Sequence, residues 1–182
     1  MKYLLLCAGV VVAATMTLSA QPKKPPASPA ATATATIDQK TVTINYSSPR
    51  VRGREGHIFS KGGLISHDPH YPVWRAGANA ATTLITSTNL KIGDLEVPKG
   101  TYTLFADISN PDQWVLVVSK KTGEWGLAYD STQDLGRVKM TMAKPPQMVE
   151  DLKYTITSLG GTRGRITLAW ENHTASVPFT VQ

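Results

Sequence analysis

Cysteine is almost missing. Its one occurrence in 182 residues is Cys7, which excludes a disulfide framework and a cysteine-ligated metal site. Acidic residues are scarce as well: thirteen Asp and Glu stand against nineteen Lys and Arg, a formal charge of +6. Lys2, Lys23 and Lys24 precede the part expected to fold, so that part keeps only half of the excess, too little and too dispersed for a nucleic-acid partner. A second long apolar run is absent, which excludes a multi-spanning membrane protein. No stretch of helical length shows a 3.6-residue period, so a helical bundle is excluded too. There is no Gly-x-Ser-x-Gly elbow. The glycine cluster Gly160-Gly161-Thr162-Arg163-Gly164 lacks the following helix of a phosphate loop and reads as a hairpin turn. Nothing calls for a cofactor.

What is present begins with an address. Lys2 precedes the apolar residues Leu4, Leu5, Leu6, Cys7 and Ala8, and small residues end the run at Ser19 and Ala20. A positive start, a short apolar stretch and a small-residue end describe a secretory signal peptide over residues 1–20, shorter than a membrane span. The protein is therefore expected to be exported, periplasmic or extracellular, without a membrane span after cleavage and without any thiol. Residues 21–35 are rich in Pro, Ala and Thr and read as a linker. Residues 36–182 remain as one domain, about 145 residues, enough for a real core.

That domain reads as strands. Period-two alternation marks residues 41–46, 137–142, 153–157, 165–170 and 176–181. Residues 82–88, 101–108 and 113–119 are rich in β-branched and aromatic side chains, and residues 91–97 look like a small hairpin. Turn residues separate them at Pro98-Lys99-Gly100, Asn110-Pro111-Asp112 and Thr122-Gly123. Residues 113–118 are apolar on both faces, which places them centrally. Pro178 suggests an edge for the last strand. The fold expected is all-β, an antiparallel β-sandwich or jelly roll, with a long irregular region at about 47–79 where any site belongs.

Several blocks carry a resemblance. Ser48-Pro49-Arg50, Gly53-Arg54, Gly62-Gly63 and Val73-Trp74-Arg75-Ala76-Gly77-Ala78-Asn79 with Thr82 come first. Pro98-Lys99-Gly100-Thr101-Tyr102, Gly123-Glu124-Trp125-Gly126, Tyr129-Asp130, Asp134-Leu135-Gly136-Arg137 and Leu168-Ala169-Trp170-Glu171-Asn172 follow in order. Together they resemble the bacterial domain of unknown function 2911 family over about residues 37–182. The resemblance implies an exported, mostly β protein and no particular reaction. Ala80 stands where many members carry Glu. His67-Asp68-Pro69-His70-Tyr71-Pro72 replaces a plainer turn, so histidine chemistry there would belong to this chain alone.

The candidate site follows from charge. Arg50, Arg52 and Arg54 alternate and would share one side of an extended stretch. With Arg75 and Lys61 they face only Glu55 and Asp68 in the same region. Guanidinium forks bind carboxylate, sulfate or phosphate oxygens in pairs. The expected ligand residues are Arg50, Arg54 and Arg75 for charge, Asn79 for hydrogen bonds, and Trp74 or Trp125 as a stacking wall; the partner would be a polar or anionic small molecule or glycan. The opposing reading has Arg54 or Arg75 paired with Asp130, Asp134 or Glu55, or bonded to loop carbonyls. An alternative function is a metal-assisted hydrolase using His57, His67, His70 and Asp68, although that spacing is no helix-borne ligand pair. A structural envelope protein without a small ligand is the third reading. Binding rather than catalysis leads.

Overall fold

The computed structural model describes residues 26–182. The expected signal segment and the start of the linker lie outside the described residues. The chain runs β1 (Ala30–Ile37), β2 (Lys40–Ser47), β3 (Val73–Trp74), β4 (Thr82–Thr86), β5 (Leu90–Ile92), β6 (Leu95–Val97), β7 (Gly100–Asp107), β8 (Val115–Ser119), β9 (Asp134–Lys139), β10 (Thr141–Ala143), β11 (Val149–Ser158), β12 (Arg163–Glu171) and β13 (His173–Val181). Two antiparallel sheets pack face to face. One has the order β1-β2-β4-β7-β8-β9, with β3 on the end of β7; the other runs β11-β12-β13-β5-β6, with β10 on β13. The fold is the expected β-sandwich. Among the described residues no helix is long and apolar enough to cross a membrane.

The core comes from alternation. Val42 and Ile44 of β2, Leu84 of β4, Leu104 of β7, Ile166 and Leu168 of β12 and Val177 of β13 all point between the sheets. On β8, Leu116 and Val118 join them, whereas Val117 is buried on the outer face with Val73, Phe105 and Tyr129. Both faces of β8 are thus covered, and it sits between β7 and β9, as its unbroken apolar run requires.

Three readings need correction. Residues 30–35 are strand, not linker. Ala33 and Ile37 turn inward while Thr32, Thr34 and Thr36 face out, and Thr34 Oγ1 meets Thr43 Oγ1 at 2.9 Å. Alanine's small side chain conceals a buried face that larger residues would have advertised. Asp38 and Gln39, both at positive φ, make the tight turn to β2. Residues 137–142 are not one strand. Met140 is buried and donates its N–H to Trp114 O at 2.8 Å; before it β9 pairs with β8, after it β10 pairs with β13. Nor does Pro178 mark an edge, because β13 lies between β12 and β5. Its carbonyl accepts the Gly93 N–H at 3.3 Å, so its missing N–H falls on the side where β5 has already ended in its turn.

The irregular region is real but shorter than expected. It spans residues 48–72, holds one 3-10 turn at Ile65–His67, and ends at β3. Its first part lies along β11: Val51 N–H donates to Glu150 O at 2.9 Å, Leu152 N–H to Pro49 O at 2.9 Å, and Ser48 Oγ to Leu152 O at 2.6 Å. This covers part of a sheet edge that would otherwise offer unpaired backbone groups. Val51, Ile58 and Ile65 anchor it in the core.

Candidate functional site

A cleft of about 340 Å³ opens where the irregular region meets β3 and β12. Its position starts with the backbone at Trp74-Arg75-Ala76-Gly77. Ala76 is buried at φ 48, a left-handed conformation that L residues adopt at a cost. Two hydroxyls hold it there: Tyr154 Oη donates to Ala76 O at 3.1 Å and Thr82 Oγ1 at 3.2 Å. Burial raises the Tyr154 phenol well above its ordinary range, so it stays a donor at any physiological pH. The same turn places Gly77 so close to Thr82 that a Cβ there would stand 2.8 Å from its hydroxyl. Arg75 is thereby set on the cleft wall.

Arg50, Arg52 and Arg54 reach the same cleft by a different route from the one expected. They are not on an extended stretch. Arg52 and Gly53 have φ of 52° and 70°, and Arg54 N–H closes the turn onto Val51 O at 3.1 Å. The turn nevertheless brings all three to the cleft with Arg75. Among the described residues Asp68 is the one carboxylate residue lining it. The floor is apolar, formed by Trp74, Trp170, Leu64, Ile65 and Leu127.

The four guanidinium groups are not equivalent. Arg50 Nε is paired with Asp151 at 2.7 Å, and both side chains are about half exposed, so the pair contributes little stability. Arg54 bonds loop carbonyls, Nε to Val51 O at 2.9 Å and a terminal nitrogen to Arg50 O at 2.7 Å. Arg52 gives one terminal nitrogen to Ala27 O at 3.3 Å. Among the described residues, Arg52, Arg54 and Arg75 make no ion pair. Arg75 Nε is also buried without a hydrogen-bond partner among the described residues, which a native site seldom tolerates without a reason.

The carboxylates proposed as structural partners are engaged elsewhere. Asp134 Oδ2 accepts from Tyr129 Oη at 2.9 Å and lies 3.0 Å from Arg137, which also reaches Asp107 at 3.0 Å. Burial, helped by Asp134, pushes the Tyr129 phenol up to about 12. Asp130 accepts the Thr132 hydroxyl at 2.7 Å and the Thr132 N–H at 3.0 Å, bonds that hold its carboxyl below the usual range. Glu55 accepts from Asn172 Nδ2 at 2.8 Å.

Two expected ligand residues lie off the cleft lining. Asn79 sits at φ 57 and donates Nδ2 to Ser28 O at 3.3 Å. Trp125 is 57% exposed and its backbone bridges Ala80. Trp74 lines the cleft as floor, not as an exposed wall: it is 1% exposed and stacks on Trp170 at 5.8 Å. Trp170 and Leu127 were not singled out as site residues. Trp170 reads as one inward position of an alternating strand, Leu127 lies in a turn with no pattern to mark it, and only the fold shows that the two meet at a cleft floor.

The histidines do not gather. Among the described residues no group of three His, Cys, Asp or Glu is arranged to hold a metal ion, so the ligand set of the hydrolase reading does not form. His57 is exposed, His67 Nδ1 bonds Gly63 O at 2.9 Å, and His70 packs its edge on Tyr129. His173 stands apart, beside Glu171 at the β12–β13 turn. Burial lowers its affinity for protons, only partly offset by the Glu171 carboxylate, while Lys144 lowers it further. The unfolded chain thus binds this proton more tightly than the folded one, so stability falls as pH drops below about 6.5 and is fully present above it. The slope cannot exceed about 1.4 kcal/mol per pH unit for one proton. Urea midpoints measured between neutral and mildly acidic pH should show it in the wild type, and His173→Phe should flatten that part of the curve; equal slopes in both would remove His173 as its source.

Comparisons with known proteins complete the site. No curated protein and no solved structure matches this chain. A family model described as Protein of unknown function (DUF2911) matches residues 28–179, a span that takes in both sheets, the arginine turn and the Trp74–Asn79 block. The chain belongs to that family.

Proposed function

We propose that the protein is an exported binding module that takes a polar or anionic small molecule in the arginine-lined cleft, and that it binds this ligand without transforming it. The observation that carries the reading is Arg75, which lines the cleft and whose guanidinium group has no acceptor among the described residues, its Nε being buried and unpaired. A ligand oxygen would supply that acceptor. Carboxylate, phosphate and sulfate groups have the paired oxygens a guanidinium fork fits. Arg52 and Arg54 add charge to the same mouth, and among the described residues neither side chain has a carboxylate partner. The apolar floor of Trp74, Trp170 and Leu64 favours a ligand with a carbon skeleton beside its anionic group, such as an acidic sugar. Arg50 serves mainly to tie the turn to Asp151 and contributes least to the ligand.

Thermal unfolding in the presence of glucuronate, glucose 6-phosphate and inorganic phosphate tests this. A ligand at 100 times its Kd adds about 2.7 kcal/mol, which for a domain of this size raises Tm by roughly 5–10 °C. Arg75→Gln should weaken that ligand at least about tenfold, the loss of about 1.4 kcal/mol expected for one charged hydrogen bond. No shift with any of the three, or an undiminished shift in Arg75→Gln, would leave the structural reading in its place.

A further inference from the structure

Behind the aromatic floor of the cleft lies a second cavity of about 290 Å³. Its walls are Phe59, Ile108, Pro111 and Trp114, and its polar end is Glu171 and His173. Phe59 separates it from the cleft, with ring centroids 5.6 Å from Trp74 and 5.7 Å from Trp170.

The polar end is held at a cost. Glu171 is 2% exposed and has φ 53, a left-handed conformation in the turn between β12 and β13. Glycine would occupy this backbone without strain. Strain of this kind in a buried, ionisable residue points to a task for its side chain. The carboxylate is fixed by the Gly56 N–H, which donates to Oε1 at 2.6 Å, and its Oε2 lies 3.3 Å from His173 Nδ1. That nitrogen is buried and within ion-pair distance, yet off the hydrogen-bonding direction. The imidazole is clamped between rings, stacked on Trp114 at 5.5 Å and 15° and met edge-on by Phe59 at 4.7 Å.

The two imidazole nitrogens therefore differ. With a carboxylate oxygen 3.3 Å from Nδ1, a lone pair there would be repelled, so the neutral ring carries its proton on Nδ1 and leaves Nε2 as an acceptor. Among the described residues Nε2 has no protein partner, and it is not among the buried unsatisfied atoms. The charged groups around the ring are Glu171 on its own turn and Lys144 across the gap, with Asp112 on the neighbouring surface. A buried carboxylate disfavours anions here, opposite to the arginine cleft. Apolar ring walls with one open acceptor suit a flat, uncharged molecule that donates one hydrogen bond.

We propose that this cavity is a second binding site, for a small uncharged ring compound carrying a hydroxyl donor, with His173 Nε2 as the acceptor, Phe59 and Pro111 as walls and the buried Trp114 beneath them. It does not depend on the arginine cleft binding anything.

Phenol and toluene are the probes: they share a ring and differ in the donor. Titration of the wild-type protein is followed by tryptophan fluorescence and by the His173 side-chain nitrogen resonances. Phenol should saturate, move the Nε2 resonance more than Nδ1, and bind about tenfold more tightly than toluene. His173→Phe, which keeps a ring on Trp114, should abolish that preference. Equal affinity for the two probes in the wild type, no saturation with phenol, or an unmoved Nε2 resonance at saturation would overturn the proposal. The wild-type resonances decide the matter even if the variant fails to fold.

Discussion

Replacing Trp74 by alanine is expected to lower stability by about 3–5 kcal/mol, the range for emptying a large aromatic position. The side chain is 1% exposed. It stacks on Trp170 at 5.8 Å and 20°, meets Phe59 edge-on at 5.6 Å and Trp114 at 6.2 Å. The loss combines the transfer of the indole with a void that the three surrounding rings cannot close. Against a total of about 5–15 kcal/mol this is a large fraction, and Tm should fall by roughly 10 °C or more. Trp125→Ala is the matched control: the same deletion at a 57% exposed position should stay within about 0.5 kcal/mol. Urea unfolding of both variants measures the contrast. A cost below about 1.5 kcal/mol at Trp74 would mean that the ring cluster collapses readily around the gap. Because Trp74 lies between the cleft and Phe59, its removal should also weaken binding in both cavities.

Glu171 carries the second large effect, and two substitutions separate its parts. Glu171→Ala deletes the acceptor for the Gly56 N–H, a charge-assisted bond worth about 1.5–3 kcal/mol, and leaves a side chain at positive φ. Glu171→Gly deletes the same bond but releases the backbone, regaining about 1 kcal/mol. Alanine should therefore be the more damaging of the two, costing about 2–3 kcal/mol, with glycine about 1 kcal/mol better. Denaturant midpoints at neutral pH give the order. If alanine and glycine are equal, the left-handed backbone is not held by strain; if glycine matches the wild type, the carboxylate does no more than offset the backbone strain of about 1 kcal/mol, and its retention is owed to the cavity.

Much of this architecture was readable from alternation. The strands from residue 41 onward, the 91–97 hairpin and the two-faced burial of β8 follow from side-chain periods and turn residues, because each strand has one face to hide. Where that signal weakened, the reading failed for identifiable reasons. β1 buries alanines, which look the same in a linker as in a strand. Met140 continues the alternation across a change of sheet, since both halves keep one face inward and only hydrogen bonding distinguishes them. Pro178 obeyed the rule about missing donors, but its donor side faced a turn and not a free edge. The arginine cleft was legible as a concentration of charge. The separate fates of Arg50, Arg54 and Arg75 were not, because they depend on which carbonyls the turn at residues 51–54 leaves within reach. Glu171 and His173 gave no local signal at all: a glutamate at positive φ is invisible until the β12–β13 turn is seen.

The path of the chain between layers has a consequence for how the molecule comes apart. It passes from one sheet to the other at residues 87–89, returns at 98–99, and leaves again at Met140. Each passage is short, so neither layer is a contiguous piece of sequence that could survive once the other melts. Opening β13 frees β5 and β10 together, and the brief link after β6 then drags on β7 in the opposite layer. Denaturation should accordingly be all-or-none, with the deepest amides of the two layers exchanging through the same global event.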